Sequence, residues 1–90
     1  MSIEIIIPQF LQHLTGNVQT LEVRGNTAGE CLEHLVIRFP QLNSQIFDKN
    51  GKLKKHLDIW TIGEAGNRGG LAQPVSDGDR LLLVTIIAGG

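Results

Sequence analysis

The apolar run from Leu81 to Ile87, interrupted only by Thr85, restricts the fold more than any other segment. It is rich in β-branched residues and follows a turn formed by Ser76, Asp77, Gly78 and Asp79, so it reads as a central, largely buried strand. Such a strand needs neighbours. Residues 2–7 alternate around Ile3, Ile5 and Ile7 until Pro8 withdraws a backbone donor, which makes a first strand. From Val18 to Val23, Leu21 and Val23 share one face and Thr20 and Glu22 the other; this second strand is expected to pair antiparallel with the first. The connecting stretch is long for a hairpin and carries Phe10, Leu11 and Leu14, so part of it either folds back on the core or exposes an apolar spot. A third strand runs through Leu57, Ile59 and Thr61, with Asp58 and Trp60 on its opposite face.

Thr27, Ala28, Gly29 and Glu30 fit the S/T-x-x-E box that satisfies unpaired amides at a helix start. Ala28, Cys31, Leu32, Leu35, Val36 and Phe39 follow at spacings of three and four, placing them on one stripe, while Glu33, His34 and Arg38 point away. Pro40 ends the helix. Leu42, Ile46 and Phe47 then belong to a short 3₁₀ or single-turn connector before the turn at Asp48, Lys49, Asn50 and Gly51. The glycine-rich stretch from Gly63 to Gly70 predicts a mobile or tightly turned loop that no strand crosses. The order is strand, strand, helix, strand, strand. An α+β architecture buries this most simply: a mixed sheet with one main helix across one face and the last strand central beside the first, the β-grasp arrangement. One domain is expected to span residues 1–90.

Eight Lys and Arg against nine Asp and Glu leave a formal net charge of −1, so no general positive excess favours nucleic acid or anionic lipid. With 41% hydrophobic and 19% charged residues the chain falls in the range of folded globular domains. Cys31, the one cysteine, excludes an internal disulfide and a Cys-based zinc cluster. The first ten residues carry Glu4 where a signal peptide carries Lys or Arg, and no apolar stretch reaches the roughly 18 residues of a membrane span. A cytoplasmic chain is therefore expected.

Few residues offer chemistry of their own. His13, His34 and His56 lack the spacing of a helical metal motif, so no metal site is expected. Cys31 lies on the buried helical stripe, where desolvation makes a thiol inert. The Gly63–Gly70 stretch lacks the order and the lysine of a phosphate-binding loop, and its glycines instead suit positive φ. Lys49, Lys52, Lys54 and Lys55 lack interleaved aromatics; they form either a solvated face or a docking surface for an acidic partner.

Gly89 and Gly90 call for another explanation. At the average glycine frequency of about 7%, a terminal pair arises by chance roughly once in two hundred chains. Two residues without side chains after a long apolar strand make a tail, expected to be flexible over residues 88–90, that threads a narrow channel and offers its α-carboxylate to a partner's active site. A carboxylate is a poor electrophile until one oxygen becomes a good leaving group. The tail therefore points to adenylation by an ATP-using partner, then attack by a sulfur or amine nucleophile.

The sequence DGDRLLLVTIIAGG, with the preceding GGLAQPVS, resembles the C-terminal signature of the ubiquitin-like sulfur carriers, the MoaD/ThiS family. IPQFLQHLTGN, the helix and HLDIW sit where the longer members have comparable segments, and the early I-P…L…T-G pattern is most similar to the carrier of cysteine biosynthesis. The resemblance implies a non-enzymatic carrier with no bound cofactor. An E1-like adenylating enzyme activates Gly90 with ATP, sulfur replaces AMP to give a thiocarboxylate, and a sulfur-acceptor enzyme of cysteine, molybdopterin, thiamine or tRNA-thiolation metabolism takes the sulfur. By position, Gly89 and Gly90 match the diglycine, Ala88 its small flanking residue, Val84 the outward partner-contacting residue, and Leu81 and Leu83 the inward ones. The resemblance also implies that a chain ending at Gly90 needs no processing protease. Thr85 and Ile86 depart from the family pattern, where many members carry proline followed by proline or alanine. That departure implies a different exit angle for the tail.

Strand alternation agrees: if Leu81, Leu83 and Ile87 face the helix, then Leu82, Val84 and Ile86 face away, with Trp60 beside them. An exposed apolar patch of this kind marks a protein interface, with Trp60 as anchor, or else Trp60 covers the 63–70 loop. Two alternatives to the carrier remain: a protein modifier joined through Gly90 to lysines, and a plain β-grasp binding module whose terminal glycines fray.

Overall fold

The computed structural model describes residues 2–63 and 70–86. Strand β1 (Ile3–Ile6) pairs antiparallel with β2 (Thr20–Val23) and parallel with β4 (Arg80–Thr85), and β3 (Leu57–Ile62) pairs antiparallel with β4. The sheet order β2-β1-β4-β3 puts the last strand centrally beside the first, as the β-grasp reading requires.

Helix α1 (Ala28–Arg38) starts where the capping box places it. The Thr27 hydroxyl accepts from the Glu30 amide at 3.2 Å, but the Glu30 carboxylate reaches back one residue further than expected, accepting from the Asn26 amide at 2.9 Å. Ala28, Cys31, Leu32 and Leu35 are fully buried, and Val36 and Phe39 pack at the margin. These residues meet the inner face of the sheet, formed by Ile3, Ile5, Leu57, Ile59, Leu81 and Leu83. Each large side chain buried there contributes roughly 1.5–3 kcal/mol relative to exposure.

The β1–β2 connection resolves into both outcomes foreseen for it. Gln9–Leu14 forms a 3₁₀ turn that buries Leu11 while leaving Phe10 exposed. After α1, a 3₁₀ turn (Pro40–Leu42) and the single-turn α2 (Asn43–Ile46) seal one end of the core with Leu42 and Ile46. The Asp48 carboxylate then accepts from the Asn50 and Lys52 amides, and these bonds, the Lys52 one foremost, hold its pKa below the usual value.

Two expectations for the last strand are corrected: it ends at Thr85 instead of running on, and it is central but buried on its inner face alone rather than largely buried. Leu81 and Leu83 lie in the core while Leu82 and Val84 are half-buried, because among the described residues α1 covers one side of the sheet and no helix covers the other. Position 87, the 88–90 tail and the interior of the glycine-rich loop lie outside the described residues.

Candidate functional site

The outer face of the sheet is built by register. Trp60 stands opposite Leu82, Asp58 opposite Val84, and Ile62 opposite Arg80 across the β3–β4 pair. On the other side of β4, Ile6 stands beside Leu82 and Glu4 beside Arg80. The result is an apolar row of Ile6, Leu82 and Trp60 running across three strands, extended along β4 by Val84 and Ile86 toward the chain end. Trp60, Ile62 and Ile86 are 49%, 50% and 46% exposed, an arrangement that costs solvation unless a partner covers it. The Arg80 guanidinium borders the row, 3.0 Å from the Glu4 carboxylate. Both side chains are open to water, so the pair is worth about 1 kcal/mol at most.

The structure thus brings together Trp60, Leu82, Val84 and Ile86 on the face where alternation put them. Ala88, Gly89 and Gly90 lie outside the described residues. Sequence reasoning missed Ile6 and Ile62. The signal for Ile62 is the continuation of β3 one residue past Thr61; Ile6 becomes visible only once β1 is set beside β4, since its own strand gives no reason for an outward isoleucine. At the exit of β4 the Ile86 amide donates to the His56 carbonyl at 2.8 Å. This bond extends the pairing with the β3 side through residue 86, and a proline there would remove its donor.

Behind this face, Asp79 and Gln73 lock the strand ends. The buried Asp79 carboxylate accepts from the Ser76 amide at 2.9 Å, closing the turn that launches β4. The buried Gln73 amide donates to the Ile59 and Gly70 carbonyls, and its oxygen accepts from the Thr61 hydroxyl. Among the described residues no group of His, Cys, Asp and Glu is arranged to hold a metal ion. Burial, with a smaller contribution from Glu30, pushes the Cys31 thiol up to about 11, so it is protonated and a poor nucleophile at neutral pH. Lys49, Lys52 and Lys55 are exposed, Lys54 is half-buried, and none pairs with a carboxylate among the described residues. No described helix is long and apolar enough to cross a membrane.

The described residues end at Ile86, on the exposed apolar face of the sheet. The sequence model of the ThiS family matches residues 5–90. The chain belongs to the ThiS family. It is 28% identical over 93 residues to the sulfur carrier protein CysO of Mycobacterium tuberculosis, with all of both chains covered. It is 34% identical over 64 residues to small archaeal modifier protein 1 of Haloferax volcanii, covering 71% of this chain and 70% of that protein. Among solved structures, a chain of the Amycolatopsis orientalis BexX/CysO complex superposes with a TM-score of 0.81 at 26% identity, covering 98% of this chain and 99% of that one. Sulfur carriers and ubiquitin-like small modifiers thus share this family and fold, and the β-grasp reading stands.

Proposed function

We propose that this chain is a sulfur carrier that reacts through the carboxylate of Gly90. An E1-like enzyme joins that carboxylate to the AMP moiety of ATP and releases pyrophosphate. A sulfur nucleophile attacks the acyl carbon and expels AMP, leaving a thiocarboxylate that an acceptor biosynthetic enzyme then consumes. The protein itself is the substrate of these steps and holds no cofactor; ATP belongs to the activating enzyme. Gly89 and Ala88 keep the tail narrow, while Trp60, Leu82, Val84 and Ile86 dock the domain. The observation that carries this reading is the ThiS-family match, which runs through Gly89 and Gly90 and so includes the reacting end.

The similarity to small archaeal modifier protein 1 favours a second reading, in which a lysine amine of another protein attacks the same adenylate and an isopeptide replaces the thiocarboxylate. Intact-mass measurement after incubation with ATP, a sulfide source and the activating enzyme separates them. A gain equal to the mass difference between sulfur and oxygen is expected. Gly-Gly remnants on cellular lysines, without that gain, would establish the modifier instead.

A further inference from the structure

A four-stranded open sheet has two free edges, and this molecule treats them differently. The Ile86 amide bonds to His56, so by antiparallel alternation Asp58, Trp60 and Ile62 bond toward β4 while Leu57, Ile59 and Thr61 direct their backbone outward. That edge is occupied: the Leu57 amide donates to the Lys54 carbonyl at 3.0 Å and the Ile59 carbonyl accepts from Gln73. At the opposite edge the Ile7 amide bonds to Gln19, so Gln19, Leu21 and Val23 face β1, and Thr20, Glu22 and Arg24 direct their backbone away from it. No described residue bonds to those outward groups. Natural sheets usually blunt such an edge, and here the β3 edge is partly blunted while the β2 edge is left open among the described residues.

Beside the open edge, a groove of about 510 Å³ separates β2 from α1. Leu21 and Val23 line its strand side, and Arg24, His34 and Arg38 line its rim. Neither arginine has a carboxylate partner among the described residues. Glu22 is the one carboxylate here, and it stands beside Glu4 on the outer face. The floor is thus apolar and the rim carries an excess of positive charge on a chain whose net charge is −1.

We propose that the β2 edge is a second docking site, which takes an extended acidic peptide segment of a partner as a fifth strand. The free edge from residue 20 to residue 24 accommodates about five residues, roughly 17 Å of strand. Backbone bonds to Thr20, Glu22 and Arg24 supply affinity, alternate apolar side chains fill the groove over Leu21 and Val23, and flanking carboxylates meet Arg24 and Arg38. A second copy of this chain is a poorer occupant, because antiparallel pairing centred on Glu22 sets two glutamates opposite each other. This site is independent of chemistry at Gly90, and it leaves the Trp60 face free.

Titration of the ¹⁵N-labelled full chain with a synthetic peptide of alternating valine and isoleucine flanked by aspartates tests it. Amide shifts are expected across residues 19–25 and at His34 and Arg38, with exchange of the Thr20, Glu22 and Arg24 amides slowed at least tenfold. The double variant R24E/R38E is expected to weaken binding at least tenfold, and Glu22→Pro to abolish it, since that outward amide makes no ladder bond. If Glu22→Pro does not fold, the double variant decides. Shifts confined to the Trp60–Leu82 face, binding unchanged in R24E/R38E, equal binding of a lysine-flanked peptide, or self-association through β2 would each overturn the proposal.

Discussion

Gly63 and Cys31 show how single positions govern this fold without touching its candidate site. A Cβ at Gly63 would overlap the Asp79 carboxylate, which is buried and already committed to the Ser76 amide and cannot swing aside. Gly63→Ala is therefore expected to destabilise the domain by about 1–3 kcal/mol, read as a lower urea midpoint with an unchanged slope. Cys31 carries a pH dependence of known sign. Its folded pKa of about 11 lies above its unfolded value of 9.0, so the unfolded chain releases the proton first as pH rises. Its contribution is complete below pH 9 and lost on the way to pH 11, amounting to about 3 kcal/mol from the size of the shift. Denaturation midpoints of the wild type are expected to fall over that window, while Cys31→Ala lacks this component. The two positions differ in how far the sequence announces them. The helical stripe announced the burial of Cys31, but the contact of Gly63 with Asp79 joins residues whose proximity only the sheet register creates.

The elements follow local rules closely, which is why most were readable in advance. The period-2 alternation of Ile3, Ile5 and Ile7, the stripe from Ala28 to Phe39 and the box at Thr27 are short-range signals, and each gave the element it implied. Thr27→Ala should cost about 0.5–2 kcal/mol by leaving the Glu30 amide uncapped, checked by chemical denaturation. What local pattern did not show was everything set by one element beside another. The 3₁₀ turn Gly70–Ala72 packs on α1, where a Cβ on Gly29 would sit 3.0 Å from the Leu71 carbonyl oxygen. Gln73, a polar residue in an unremarkable stretch, is buried to satisfy the β3 edge, and Ile6 joins the outer apolar face only through its β4 neighbour. On that face, Trp60→Ala and Val84→Asp are expected to leave the fold intact and to lower affinity for the activating or acceptor enzyme at least tenfold, measured by calorimetry. The β4 strand also proved less buried than its apolar run suggested: hydrophobicity says that a residue avoids water and does not say whether its cover is the same chain or a partner.

For the molecule as a whole, the proposed division of labour is between a folded scaffold and a reacting chain end. The described residues hold an apolar core, a protonated buried thiol and no metal cluster, and the family places this scaffold among sulfur carriers and small modifiers. In this account the sheet face and the β2 edge bind, and Gly90 supplies the reacting group. The most direct measurement is exchange of labelled pyrophosphate into ATP by the activating enzyme, comparing the full chain with a semisynthetic chain whose Gly90 carboxylate is amidated. Exchange driven by the full chain and reduced to background by amidation is the predicted result; undiminished exchange with the amidated chain would contradict the account.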